Sequence, residues 1–242
     1  LSADSPTITN NATATITGGQ TLDPDHAALT YYSHSGLFRM GGYLVYNNRG
    51  QLTQLEFMTN SAALEIGIIR YTAQFRVFVD GLPASAALSN DAAGSAIFYK
   101  LAFASRKVRR ITVVGVNMPI YQIVTSAGDA IWQAPDDQPL MCVAGDSYTF
   151  GNGGAGGVCF AWSQLFGRGL GYRVIVDAIG GTGWNSSGSN APLTRLNTVG
   201  ANVMTKRIAG VNSPRVPDAP VAAFGYNDAG GDMGSLAANA AD

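Results

Sequence analysis

The sequence predicts a two-part chain: an all-β sandwich of jelly-roll type over residues 1–134, then an α/β region with parallel strands over residues 140–242. Three observations carry this. Short segments rich in Val, Ile, Thr, Tyr and Phe fill the first 134 residues, many of them separated by Gly, Asn, Asp or Pro. A polar, proline-bearing break, "QAPDDQP" (Gln133 to Pro139), then interrupts the pattern, and residues 135–139 read as a linker. Beyond it, apolar runs alternate with segments of helical period, the sign of parallel strands with helices on their faces.

In chain order, the first part offers "TATITGG", "LTYYSHSG", "GGYLVYNN", "LTQLEFMTN", "ALEIGIIRY", "QFRVFVDG", "AIFYKLAFAS" and "VRRITVVGV" as strands. Asn47-Asn48, Asp80-Gly81 and Asn90-Asp91 supply turn chemistry between them. Eight or so short strands without a helical segment predict a sandwich. In the second part "LMCVAG" is a continuous apolar strand and "GVCFAWSQLFGRGLG" reads as a helix. "YRVIVDAIGG" is a second strand. "APLTRLNTVGANVMTKRIAG" reads as a helix, with Leu193, Leu196, Val199 and Val203 near helical spacing. "APVAAFGYND" is a third strand.

Composition removes several function classes. Of 242 residues, 46% are hydrophobic and only 13% charged, too apolar for a disordered chain. Fifteen basic residues against sixteen acidic ones give a net charge of −1, with no electrostatic footprint for nucleic acid or an anionic membrane. The one basic cluster, Ser105 to Arg110, alternates with Val108 and Ile111 and reads as the wet face of a strand. No apolar run reaches the ~18 residues of a membrane span. The chain begins at Leu1 and uses only three lysines (Lys100, Lys107, Lys206). A processed, exported protein, secreted or cell-surface, is the expectation. Cys142 and Cys159 are too few for a disulfide framework, and Cys142, inside an apolar run, reads as a buried thiol.

The chemistry gathers at strand ends. In an open α/β sheet, ligands bind outside the carboxyl ends of the strands. The first strand runs into Gly145-Asp146-Ser147, the second into Ile179-Gly180-Gly181-Thr182-Gly183-Trp184, the third into Gly225-Tyr226-Asn227-Asp228. Parallel neighbours would bring a serine, a glycine turn and an asparagine to one rim. Those groups suit acyl transfer. A hydroxyl just after a strand, near a helix amino terminus, is exposed and close to a positive dipole end. A tetrahedral oxyanion needs preset donors, and the candidates are the N–H of Ser147, the N–H of Gly181 and the side-chain amide of Asn227.

"GDSYTFG", "IGGTGW" and "GYND", in that order over residues 140–228, resemble the first three sequence blocks of the SGNH hydrolases, the GDSL-type esterases and lipases. The resemblance implies a flavodoxin-like sheet, Ser147 as nucleophile, and Gly181 and Asn227 as oxyanion-hole partners, with Gly180 the neighbouring alternative to Gly181. A β-sandwich followed by such a domain also resembles, in architecture, carbohydrate esterases that remove acetyl groups from polysaccharides. The substrate implied is an acetylated saccharide, with no cofactor and no metal.

The family's fourth block, Asp-x-x-His near the carboxyl end, supplies the general base and its orienting acid, and no such block occurs in the carboxyl-terminal part of this sequence. The only histidines are His26 in "DPDHA" and His34 in "YYSHSG". A serine without its base is not activated. The expectation is that a C-terminal segment outside these residues carries the catalytic histidine and the last strands of the sheet. The alternatives are a histidine swung in from the first domain, or a non-catalytic carbohydrate-binding or surface (virion-type) structural module with a degenerate hydrolase region. "GNGGAG" (Gly151 to Gly156), with Asp177 further on, has the glycine spacing of a dinucleotide fingerprint. However, Asp-Ser-Tyr-Thr-Phe separates its first glycine from the strand, so it reads as lining beside the serine. Thr149 breaks the G-x-S-x-G elbow of lipases. Trp162 reads as a packed helix residue, and Trp184 as a lining or core residue.

Overall fold

The structure, a computed structural model, describes residues 4–33, 37–40, 43–46, 53–69, 73–84, 88–90, 96–116, 118–151, 161–178 and 204–223. The first strands are β1 (Thr7–Asn11), β2 (Thr21–Leu22), β3 (Thr30–Ser33), β4 (Leu37–Met40), β5 (Tyr43–Tyr46), β6 (Thr53–Thr59) and β7 (Ala63–Ile69). Next come β8 (Ala73–Val79), β9 (Leu82–Pro83), β10 (Leu88–Asn90), β11 (Ala96–Ala102), β12 (Arg109–Val116), β13 (Ile120–Thr125) and β14 (Ile131–Trp132). The remainder is β15 (Leu140–Gly145), α1 (Ser147–Phe150), α2 (Trp162–Gly169), β16 (Arg173–Ala178), β17 (Met204–Ile208), β18 (Val211–Arg215) and β19 (Ala219–Ala223).

These strands make three sheets. The first runs β1-β11-β7-β13-β5-β4, with β2 on β13, and the second runs β10-β8-β12-β6-β3-β17-β18, with β14 on β6 and β9 on β8. Both are antiparallel. Strand alternation explains the core between them. Leu55 and Phe57 of β6, Phe75 and Val77 of β8, and Ile111 and Val113 of β12 meet Leu64, Ile66 and Ile68 of β7. The opposite face of the second sheet is not left to water. Phe78, Val114 and Val116 pack on Met141, Val143, Val174 and Val176 of a third sheet, and Tyr32 packs on Leu140, Cys142, Ala144 and Ile175. This is why β6 is buried on both faces although its outward residues include Gln54 and Glu56.

The third sheet is parallel, in the order β16-β15-β19. Its strands match the apolar runs of the second half of the sequence. The larger expectation is corrected: the chain is mostly β, and no flavodoxin-like α/β domain is present among the described residues. Three parallel strands and helices of four and eight residues are what the described residues provide. The helix expected to run through residue 210 also gives way. Met204–Ile208 and Val211–Arg215 form a hairpin that pairs Thr205–Ile208 with Thr30–Ser33, so this stretch extends the second sheet. Its two-residue turn, Ala209-Gly210, has positive φ at both positions (50° and 78°), the geometry that matches strand twist and usually calls for Asn-Gly. The strand expected at "TATITGG" is replaced by β1, just upstream.

Polar bonds fasten the third sheet to the second. Arg173, the fully buried first residue of β16, donates Nε to Glu56 Oε1 (3.0 Å) and Nη2 to Glu56 Oε2 (2.9 Å). Its Nη1 reaches Asp136 Oδ1 (3.1 Å) and the Gln138 carbonyl (2.9 Å), and its guanidinium stacks 4.3 Å from the Tyr32 ring centroid. Asp136 also accepts from the Tyr32 hydroxyl (3.0 Å) and from Lys206 of the hairpin. Burial pushes the Tyr32 phenol well above its ordinary range, against the pull of Arg173, so it remains a proton donor. For Asp136, burial alone would raise the carboxyl. The hydrogen bonds from Lys206 and Tyr32 outweigh it and hold the group below the usual carboxylate range.

A depressed carboxylate contributes stability that is present above its unfolded value, 3.8, and lost as pH falls through the lower folded value. Thermal unfolding of Asp136→Asn should therefore show a lower Tm than the parent at pH 6 and a shallower fall on acidification below pH 4. Parallel Tm-against-pH curves would remove Asp136 from the acid transition.

The basic cluster also departs from expectation. Val108 is 55% exposed and Arg109 0% exposed, so the expected wet face is inverted at these two residues. The cause is Asp4, which receives Arg109 Nε (2.7 Å) and Nη2 (3.0 Å), while the guanidinium also donates to the carbonyls of Ser105 and Lys107 and lies over Phe103. Arg106 pairs with Asp129 and Arg110 with Asp137 (2.8 Å), so these charges are used within the fold.

Candidate active site

The site is built from the middle strand outward. In β15, Gly145 lies opposite Ala178 of β16 on one side and Ala223 of β19 on the other, so the three strands end level. Parallel neighbours lie ~4.8 Å apart, which puts three chain exits on one rim. Asp146 then takes extended backbone (φ −100°, ψ −161°) and caps α1. Its buried carboxylate accepts from the N–H of Tyr148 (2.9 Å) and of Thr149 (3.4 Å). Ser147 is the first residue of that turn and is half-buried, with Tyr148 exposed beside it. The Asp-Ser pair after a buried strand is thus a cap followed by the residue it presents.

The turn is clamped from below. Thr149 is buried, and its Oγ1 donates to the Ala223 carbonyl at 3.1 Å, joining α1 to the end of β19. Thr149 sits where a side chain on residue 145 would go. A Cβ on Gly145 would run into Thr149 and come within 2.7 Å of the Ala223 oxygen. Gly151 closes the turn in the left-handed region (φ 89°), with its N–H on the carbonyls of Ser147 and Tyr148. Gly145→Ala should therefore cost about 1–3 kcal/mol from overpacking and displace Ser147. Denaturant unfolding with an activity assay checks this, and wild-type stability in the variant would contradict the clamp.

Ser147 stands where the sequence places it. Gly181 and Asn227 lie outside the described residues, three positions beyond Ala178 and four beyond Ala223. Gly180, Trp184, Cys159, His34 and most of "GNGGAG" lie outside them as well. His26 is described and occupies an exposed turn, where its Nδ1 accepts from the Ala28 N–H at 3.1 Å. Cys142 is a buried thiol of β15. Trp162 corrects its expected packing: it is exposed, on the outer side of α2. Among the described residues no cluster of His, Cys, Asp and Glu could hold a metal ion, and no helix is long and apolar enough to cross a membrane. Thr149 and Ser163 were missed by sequence reasoning. A threonine in place of an elbow glycine and a serine inside a helix carry no chemical signal until the turn they hold is known.

No family model matches the sequence, and no curated protein matches it. The fold does have relatives among solved structures. An acetyl xylan esterase (Est2A) from the rumen bacterium Butyrivibrio proteoclasticus aligns with a TM-score of 0.62 at 13% identity, over 87% of this chain and 65% of that one. A family two carbohydrate esterase from Cellvibrio japonicus gives 0.59 at 14% identity, over 92% and 69%. A salicylyl-acyltransferase, SsfX3, from a tetracycline biosynthetic pathway gives 0.56 at 17% identity, over 66% and 54%. The chain thus spans between about half and just over two thirds of the length of these relatives, and what it shares with them is the fold.

Proposed function

We propose that the chain is part of a secreted or surface serine esterase that removes acyl groups, acetyl foremost, from a carbohydrate. One observation carries this: Ser147 opens the turn after the middle strand of a parallel sheet whose flanking strands end level with it. The reacting region lies within residues 140–242, joined through residues 135–139 to the strands of residues 1–134, and the hairpin of residues 204–215 within it belongs to the second sheet. Ser147 Oγ attacks the ester carbonyl. The N–H of Ser147, the N–H of Gly181 and the Asn227 amide meet the oxyanion. The Asp146 cap engages the N–H groups of Tyr148 and Thr149 and not that of Ser147, which supports its use as a donor. The sugar hydroxyl leaves, and water then frees the acid from the serine. The general base is a histidine from an Asp-x-x-His block outside these 242 residues. The match in fold to carbohydrate esterases favours a saccharide ester, and no cofactor enters.

The test is acetate release from acetylated xylo- or cello-oligosaccharides by the full-length protein. Release at a rate well above the spontaneous one supports the reading. Retention of the glycan without any release would instead support a non-catalytic carbohydrate-binding or surface module.

A further inference from the structure

Helix α2 turns its polar side inward. Its buried residues are Ser163, Gln164 and Gly167, while Trp162, Leu165 and Phe166 are exposed. An eight-residue helix has little stability of its own, and buried polar groups are costly unless bonded. Here they are bonded, and the bonds lead somewhere. Ser163 Oγ donates to the Thr149 carbonyl at 2.9 Å, holding the main chain of α1 two residues from Ser147. Gln164 Nε2 donates to the Val174 carbonyl of β16 (3.3 Å), and its Oε1 accepts from Arg168 Nε (3.1 Å). Arg168 Nη2 then reaches Gln54 Oε1 at 2.8 Å, and its guanidinium lies 4.3 Å from the Phe78 ring centroid, both on the outer face of the second sheet. Gln54 in turn donates to Glu56, the carboxylate that Arg173 holds with two bonds. A line of bonds therefore runs from the middle of the second sheet, through α2, to the turn that presents the serine.

We propose that Arg168 and Ser163 are positioning residues for Ser147: Arg168 fixes α2 to the second sheet, and Ser163 fixes α1 to α2. This rests on the reading of Ser147 as nucleophile. Neither residue is required to touch substrate. Their effect is on where the hydroxyl stands, and a displacement of about 1 Å can cost ~10²-fold in rate. It also gives the N-terminal strands a role in the reaction, since Gln54 and Phe78 belong to them.

The experiment uses the full-length protein with Arg168→Ala, Ser163→Ala and the double variant. Arg106→Ala, which breaks a pair remote from this line, serves as the control. Two readouts are taken: kcat and KM on a small acetyl ester, and amide hydrogen exchange over residues 147–151. Each single variant should lower kcat by roughly tenfold to a hundredfold, leave KM within about twofold, and speed exchange over 147–151. The double variant should be no worse than the worse single, because both act along one line. The control should change none of these. If Arg168→Ala fails to fold, Arg168→Lys replaces it. A lysine cannot bond Gln54 and Gln164 together while stacking flat on Phe78, so it should show the same pattern more weakly. Unchanged exchange over 147–151 in the variants, or a lowered Tm with kcat retained, overturns the proposal. Faster exchange in a protein whose Ser147→Ala variant keeps full activity overturns the nucleophile reading and leaves the mechanical tie standing.

Discussion

Replacing Ser147 with alanine is expected to lower kcat on an acetyl ester by about 10⁴–10⁶-fold, with little change in glycan affinity. The size follows from what is removed. The nucleophile splits one difficult step into two, and binding plus oxyanion stabilisation alone leave only ~10³–10⁴-fold over water. The stability cost should be small. Ser147 is half-buried, and the bonds that hold its turn belong to Asp146, Thr149 and Ser163. Thermal unfolding within a degree or two of the parent, beside the lost rate, separates a chemical loss from a structural one. A variant retaining full activity would place the chemistry elsewhere.

The second large effect is on stability. Arg173→Ala or Glu56→Ala should each cost about 3–5 kcal/mol, because each leaves a buried charge without its partner. Arg173 is 0% exposed, the Glu56 side chain 2%, and the pair is bidentate at 3.0 and 2.9 Å. Glu56→Ala still leaves Asp136 and the Gln138 carbonyl on Arg173, so it should be the milder of the two. Replacing both by apolar residues of similar volume should restore most of the loss, since the desolvation cost disappears with the charges. Urea unfolding of the singles and the double variant tests this. Near-neutral single variants would mean that the third sheet is held by its apolar contacts alone.

The legible parts of this fold are those in which apolar periodicity decides. β6, β7, β8, β11 and β12 sit where alternation and β-branched or aromatic residues put them, and β15, β16 and β19 sit within continuous apolar runs. The hairpin of residues 204–215 was illegible for the opposite reason. Two of its consecutive side chains, Lys206 and Arg207, are charged and held by Asp136 and Asp25, and its turn is Ala-Gly in a conformation that Asn-Gly usually signals. Arg109 shows the same limit. A guanidinium is buried because Asp4, about a hundred residues earlier in the chain, covers it, and no local pattern encodes that.

The flavodoxin-like expectation failed because motif order speaks for a rim of strand ends, not for the number of strands or helices around it. The rim itself was readable: Gly145, Ala178 and Ala223 end level, and Ser147 follows the first of them. Its supports were not. Thr149, Ser163 and Arg168 act through carbonyls and side chains brought together only by folding.

The most direct measurement is mass spectrometry of the full-length protein after reaction with a serine-directed fluorophosphonate. The adduct is expected on one residue, Ser147, in a peptide spanning residues 140–151, with loss of esterase activity in proportion and no adduct in the Ser147→Ala variant. Ester hydrolysis that survives with Ser147 unmodified, or an adduct on another serine that tracks the loss of activity, would contradict the account.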